Sequence, residues 1–266
     1  MKRKIEENNI YLLLLICILI IREGRRDSKD KIELVIARYK ENLWWIDNLF
    51  FDIFEIIIYN KGNKLENKEF KREVKIIELD NVGACEHTYL THIINNYDKL
   101  NKLTIFLTGS CMEIKFEKTI KTIISTLITN NSVFYCSKYN RPILDIQEIR
   151  NFKINKYKRR YKGNITKENV ILEPSKIRPF YKWYNAIIRK KTKINYINFE
   201  AIFCVSREHI LNNEIEYYKK INELIDKDIA SETCHYIELA YTSIFYPYEL
   251  NCIYNFDERL EGKLSI

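Results

Sequence analysis

Residues 75–110, KIIELDNVGACEHTYLTHIINNYDKLNKLTIFLTGS, contain a complete strand–helix–strand unit. The runs KIIEL at 75–79 and LTIFL at 103–107 are short and apolar, as buried strands are. Between them, apolar residues recur on one face of a helix predicted from about Cys85 to Tyr97. This order predicts a parallel pair of strands, because a helix is the usual crossover between parallel strands.

Two apolar runs upstream extend this unit, IELVIA at 32–37 and EIIIY at 55–59. Their apolar residues are continuous rather than alternating, which is typical of strands covered on both faces. The sequence therefore predicts an α/β fold with a mostly parallel, mixed central sheet flanked by helices. The second half of the chain is predicted to be more helical, with helices at 214–225 and 233–246.

The length of 266 residues allows one large domain or two small ones. We predict a single α/β domain over residues 31–250, preceded by a hydrophobic anchor and linker over 1–30 and followed by a tail over 251–266. The composition, 46% hydrophobic with 6 Gly and 4 Pro, excludes a disordered or collagen-like chain. The 7 Cys have no CxxC spacing, which argues against a disulfide framework and a four-cysteine zinc site.

Residues 10–21 form an unbroken apolar run with basic residues on both sides. As a helix this run would span only roughly 18 Å of a hydrocarbon core that is roughly 30 Å thick. We interpret it as a marginal signal-anchor, which predicts membrane association of an otherwise cytoplasmic protein. A buried helix or strand, and a signal peptide, are the alternatives.

Positive charge is concentrated between residues 150 and 193, where fifteen Lys or Arg and two Glu give +13, against +8 for the whole chain. A basic insertion at about 150–176 contributes much of this excess. A solvated loop is the simplest interpretation. The alternative is a non-catalytic α/β module that binds a polyanion, either nucleic acid or an anionic membrane, through residues 150–193.

The candidate site lies where the predicted parallel strands end, because ligands of open α/β sheets bind outside the carboxyl ends of the strands. There the turn 80–87 brings Asn81 and Gly83 to a helix N-terminus, whose free N–H groups attract phosphate. Arg38 and His87 could supply further donors. His235 and Glu238 are three residues apart and share a helix face, as an acid–base or metal-ligand pair would. An ordinary β–α turn and a surface pair are the alternatives.

Five segments carry a family resemblance: VIARYKENLWWI, IIIYNKG, the stretch 81–110, FCVSREHIL and YIELAYTSIF. Together they resemble the family catalogued as domain of unknown function 3431, in the family's order and over most of residues 32–246. That family is similar to GT-A glycosyltransferases. The resemblance implies a GT-A-like fold and transfer of a sugar from a nucleotide-sugar donor to an unknown acceptor, with no nucleic acid expected as a partner.

The resemblance also implies roles for individual residues. Glu238, or less favourably Glu41, would be the catalytic carboxylate, and the turn 81–83, Arg38 and Lys61 would hold the diphosphate. A divalent metal, Mn²⁺ or Mg²⁺, is an expected cofactor, with no ligands assigned. The full set of substrate-binding candidates is Arg38, Asn60, Lys61, Asn81, Gly83, His87, Gly109 and Arg207. Gly62, Thr88, Tyr89 and Ser206 also match the family pattern.

Two positions depart from that pattern. Ala84 and Cys85 stand where the family usually has an Arg-Glu pair, and Thr108 stands where it usually has Gln. If the missing arginine and glutamate contact substrate, the chain is a weakened or inactive member.

Overall fold

The computed structural model describes residues 32–47, 53–138, 151–154, 173–188, 196–229 and 231–255. The predicted anchor at 10–21 and most of the basic insertion lie outside these residues. Within the described part of the chain, no helix has the length and apolar character needed to span a membrane.

The strands, in chain order, are β1 (Ile32–Arg38), β2 (Phe54–Asn60), β3 (Lys75–Glu78), β4 (Leu103–Thr108), β5 (Phe134–Lys138), β6 (Tyr196–Asn198), β7 (Phe203–Ser206) and β8 (Ile253–Asn255). The helices are α1 (Ala84–Asn96), α2 (Cys111–Ile114), α3 (Phe116–Thr129), α4 (Phe180–Ile187), α5 (Arg207–Leu211), α6 (Ile215–Asn222) and α7 (Glu232–Ile244). Short 3-10 helices cover Trp44–Asp47, Asn67–Glu69 and Leu250–Cys252.

The central sheet has the strand order β3-β2-β1-β4-β7. The pairings β1–β2, β1–β4 and β2–β3 are parallel, whereas β7 runs antiparallel to β4. This confirms the predicted α/β fold with a mostly parallel, mixed central sheet.

Two apolar layers cover the sheet because alternate residues of its strands point to opposite faces. In β1, Val35 belongs to the cluster that includes Leu90 of α1 and Tyr241 of α7. Its neighbour Ile36 belongs to the other cluster, which includes Ile123 of α3. Every residue of β1 is buried, which explains why Leu34–Ala37 are continuously apolar rather than alternating.

A smaller sheet, with the order β6-β5-β8, was not predicted from the sequence. In it β5 pairs antiparallel with β6 and parallel with β8. Strand β8 lies within the segment 251–266 that was predicted to be a tail. Its pairing places residues 253–255 within the fold.

Glu232, at the start of α7, holds both described flanks of the basic insertion. Its side chain is fully buried. Its carboxylate accepts the N–H groups of Ile154, at 2.8 Å, and Ser175, at 2.9 Å. It also lies 2.7 Å from Nε of Arg178 and accepts the hydroxyl of Tyr236 at 2.9 Å. The two flanks are therefore fixed to one helix start.

Candidate active site

The ends of β1, β2 and β3 lie in register, with Arg38 beside Asn60 and Asn60 beside Glu78. Nη1 of Arg38 donates to Oδ1 of Asn60 at 2.5 Å. Nδ2 of Asn60 in turn donates to the two carboxylate oxygens of Glu78, at 3.1 and 2.9 Å. The structure thus brings Arg38 and Asn60 together at the predicted edge, where they bind each other.

Arg38 also holds the two loops that follow β1 and β2. Its Nε donates to the carbonyl of Glu41 at 2.9 Å, and its Nη1 donates to the carbonyl of Asn63 at 3.1 Å. The side chain is buried. These contacts give the guanidinium a structural role, in which it shapes the edge of the sheet.

Glu41, the second candidate carboxylate, folds back onto its own loop. Its Oε2 accepts the N–H groups of Tyr39, at 2.7 Å, and Lys40, at 3.1 Å. The same carboxylate lies against Gly109 after β4, where an added Cβ would come within 2.9 Å of Oε2. These contacts explain the glycine and give Glu41 the function of closing the loop.

Lys61 supports the turn between β3 and α1. Its Nζ donates to the carbonyls of Val82, at 2.6 Å, and Ala84, at 2.5 Å. Burial lowers the pKa of this amine to about 8. Lys61 therefore positions the predicted phosphate-binding turn, because its hydrogen bonds go to the turn's own backbone.

Gly83 allows the turn to close tightly. It adopts the left-handed conformation, with φ of 57°, and its N–H donates to the carbonyl of Asp228 at 2.8 Å. An added Cβ would lie 2.6 Å from Cβ of His87 and from the carbonyl oxygen of Ile225. Only glycine fits this combination of conformation and space. Asn81 lies two residues earlier in the same turn and is half-buried.

His87 lies in the first turn of α1 and is half-buried. Burial, together with the positive charge of Lys61, lowers the pKa of its imidazole to about 4. The ring is therefore neutral at pH 7. Its Nδ1 is buried and has no hydrogen-bond partner among the described residues.

Glu86, in the first turn of α1, and Glu238, in the middle of α7, form a carboxyl pair that interacts through charge. Glu86 follows the turn on α1 and is 3% exposed. Burial and the negative charge of Glu238 raise the pKa of Glu86 to about 7. Burial alone would also raise the pKa of Glu238, but the contact with His235 and the charge of Lys115 outweigh it and hold that pKa below its ordinary value.

Glu238 is half-buried on α7 and has partners for both oxygens. Its Oε1 accepts the N–H of Glu200 at 2.5 Å, and its Oε2 lies 3.6 Å from Nδ1 of His235. The structure confirms that His235 and Glu238 share a helix face. The carboxylate is 21% exposed, so its charge is partnered and also reachable from solvent.

The turn that Glu238 contacts is held in an uncommon conformation. Glu200 and Ala201 have φ values of 73° and 52°. Nζ of Lys115 donates to the carbonyl of Glu200 at 2.7 Å, and the hydroxyl of Tyr89 donates to the carbonyl of Ala201 at 2.9 Å. Several side chains from α1, α7 and the start of α3 thus converge on this turn, and Glu238 is one of them.

Sequence reasoning did not identify Glu86 or Lys115 as site residues. The signal for Glu86 was its place in the first helical turn after the loop that the sequence predicts to bind phosphate. Its pairing with Glu238 depends on the packing of α1 against α7, which the sequence does not show directly.

Arg207 is not brought together with the other candidates. Because β7 is antiparallel to β4, Ser206 lies beside Leu103 at the start of β4. The N–H of Arg207 donates to the carbonyl of Lys102 at 2.9 Å. Arg207 therefore lies at the amino-terminal edge of the parallel strands, where it lines an open depression of about 1000 Å³.

The two departures from the family pattern lie at the start of α1. Ala84 is exposed and has φ of 47°. The thiol of Cys85 lies 3.3 Å from Oε1 of Glu86, and burial raises its pKa well above the usual value. Neither side chain adds charge to the site at pH 7, so the prediction of a weakened member still stands.

A divalent cation remains a prediction with no ligands assigned. Hard divalent cations bind ionised carboxylate oxygens. Glu238 offers a partly exposed carboxylate, whereas Glu86 beside it is protonated below about pH 7, so without a bound ion the pair supplies one ionised carboxyl group.

No curated protein matches the chain significantly. A family model described as "Protein of unknown function (DUF3431)" matches residues 34–257. The match covers the eight strands in the described part of the chain, except the first two residues of β1, and it includes both helices that carry the carboxyl pair. The chain therefore belongs to the DUF3431 family.

Proposed function

We propose that the chain is a glycosyltransferase that moves a sugar from a nucleotide-sugar donor to an acceptor hydroxyl, with Glu238 as general base. The observation that supports this is the pair Glu86 and Glu238, whose pKa values are displaced in opposite directions beside a helix N-terminus. Carboxyl pairs separated in this way are typical of acid–base sites.

In the proposed reaction, the acceptor oxygen bonds to the anomeric carbon of the sugar while the bond from that carbon to the diphosphate breaks. Glu238 takes the proton of the acceptor hydroxyl, and the departing diphosphate takes the electron pair. Because Glu86 stays protonated below about pH 7, it adds no second negative charge beside the base. His235 orients the carboxylate through its 3.6 Å contact.

The developing charge on the diphosphate needs donors near the turn before α1. The N–H groups of the first helical turn have no partner within the helix and carry the positive end of its dipole. Lys61 acts as a positioning residue here, because it holds the carbonyls of Val82 and Ala84 and so orients the turn. Arg38 and Asn60 support the neighbouring loops in the same way.

The test begins with the purified full chain and a panel of nucleotides and nucleotide sugars. A donor at about 100 times its dissociation constant should stabilise the fold by roughly 2.7 kcal/mol, which a thermal-shift measurement detects. Release of nucleoside diphosphate is then measured with Glu238→Gln. We expect a roughly 10²–10⁴-fold lower rate, with the thermal shift from the donor retained.

Glu216→Gln is the matched control, since Glu216 is an exposed carboxylate that pairs with the exposed Lys219. It should leave the rate unchanged. If Glu238→Gln loses stability and donor binding together, the carboxylate only holds Glu200. If no nucleotide or nucleotide sugar shifts the melting temperature, the transferase proposal is wrong.

The salt dependence of binding, measured on the same full chain, tests the alternative function of polyanion binding through residues 150–193. Binding of an oligonucleotide or heparin through that segment should weaken steeply between low and moderate salt, because counterion release drives it. The affinity of a nucleotide site should fall much less over the same range of salt concentration. Membrane association through residues 10–21 remains a separate proposal, tested by vesicle co-sedimentation with and without that segment.

A further inference from the structure

His209, Glu249 and Cys252 form a side-chain cluster remote from the carboxyl pair. His209 belongs to α5, and the other two lie at the 3-10 helix that precedes β8. One ligand atom from each residue lies within 4.8 Å of the other two. His209 and Cys252 are buried, whereas Glu249 is exposed and leaves the cluster open to solvent.

The ring of His209 is already oriented. Its Nδ1 lies 2.7 Å from Oγ of Ser132, and that oxygen accepts the N–H of Ser206 at 2.8 Å. The ring also meets Tyr248 edge to face, with centroids 5.9 Å apart. A histidine that ligates a metal usually donates its second ring N–H to such an oxygen, which fixes the tautomer and the ring plane.

We propose that His209, Glu249 and Cys252 bind a zinc-class divalent ion, with water as the fourth ligand. Imidazole nitrogen, thiolate sulfur and carboxylate oxygen are the donors that Zn²⁺ prefers in tetrahedral sites. The ion binds Nε2 of His209, leaving Nδ1–H to donate to Ser132. Cys252 releases its thiol proton to solvent and binds as the thiolate.

Such an ion would tie α5 to the segment that leads into β8. Its role is therefore structural, and it is independent of the proposed transferase site. That site lies at the opposite edge of the sheet, because β7 carries α5 to the amino-terminal side of β4.

The test is a Co²⁺ titration of the full chain after removal of metal by a chelator. A thiolate ligand gives Co²⁺ a charge-transfer absorption, which should saturate at one equivalent and disappear when Zn²⁺ displaces the cobalt. Cys252→Ser should abolish this band. Cys85→Ser should keep it, because Cys85 is a half-buried thiol at the other edge of the sheet.

Two further variants keep the proposal testable if Cys252→Ser does not fold. Glu249→Gln changes an exposed residue, and Ser132→Ala removes the partner of His209; each should weaken Zn²⁺ binding roughly 10–100-fold. Zn²⁺ should also raise the melting temperature of the wild-type chain. Absence of the cobalt band, or equal Zn²⁺ affinity of the wild type and Glu249→Gln, would overturn the proposal.

Discussion

Arg38 and Asn60 end adjacent parallel strands and are joined by a 2.5 Å hydrogen bond from Nη1 to Oδ1. Asn60 is fully buried and passes the interaction on to Glu78 through its Nδ2. The amide therefore lies between the Arg38 guanidinium and the Glu78 carboxylate and forms hydrogen bonds with both. This arrangement gives the edge of the sheet a defined shape without leaving a charge unpaired between the strands.

Asn60→Ala should lower the free energy of unfolding by about 1–3 kcal/mol, because it removes one acceptor from the buried Arg38 guanidinium. Urea denaturation measures the loss. Asn101→Ala is the control, since the bond from Asn101 to Glu55 is exposed to solvent and its loss should cost under about 0.5 kcal/mol. Equal effects of the two variants would contradict a stabilising role for the network.

Gly109→Ala should destabilise the fold by about 1–3 kcal/mol, because its Cβ would meet Oε2 of Glu41 at 2.9 Å and Cδ at 3.0 Å. Both obstacles belong to one side chain. A double-mutant cycle should therefore show that Glu41→Ala reduces the cost of Gly109→Ala.

Gly62→Ala provides the contrast for this cycle. Its Cβ would come within 1.5 Å of the backbone oxygen of Tyr39, which no side-chain truncation can remove. We expect a larger loss that Glu41→Ala does not reduce. Rescue of both glycine variants, or of neither, would show that the Glu41 carboxylate is not the obstacle at Gly109.

Glu86→Gln should make the fold more stable than the wild type at pH 8, with little difference near pH 4.5. The folded chain keeps the Glu86 proton until about pH 7, whereas the unfolded chain loses it near 4.5. Between these values the folded state binds more protons, so wild-type stability falls as pH rises. Glutamine does not ionise and escapes this loss, which is on the order of 3 kcal/mol at pH 8.

Urea denaturation of both proteins at pH 5 and pH 8 measures this difference. Asn101→Ala, which changes no ionisable group, is the control and should give the same difference at both pH values. A Glu86→Gln difference that is the same at both pH values would mean that burial does not raise the pKa of this group.

Glu232→Ala should cost about 3–5 kcal/mol, because it leaves Arg178 without its buried carboxylate and the N–H groups of Ile154 and Ser175 without an acceptor. Glu232→Gln should cost less, since it keeps an acceptor oxygen. Thermal denaturation separates the two. Glu216→Ala, which removes an exposed pair with Lys219, is the control and should change stability little.

The strands of the central sheet could be predicted from the sequence because strands buried on both faces contain consecutive apolar residues. The predicted strands 32–37 and 103–107 correspond to β1 and β4, each of which is one residue longer at its carboxyl end. The adjacency of Arg38 and Asn60 followed from the same reasoning, since parallel strands end at one edge. Glu238 entered only through the family resemblance and the face that it shares with His235.

Other features depended on contacts between distant parts of the chain. Strand β8 has only three residues and exists through its pairing with β5, where Phe134 meets Ile253. The antiparallel direction of β7 placed Arg207 at the edge opposite to the one expected.

The pKa values of Glu86 and Glu238 differ because α1 packs against α7. Burial and a neighbouring charge set a carboxyl pKa, and both depend on that packing. Local sequence thus determined which segments form strands and helices and where the sheet ends. Tertiary packing decided which of the side chains at that edge bind one another and which remain reachable for chemistry.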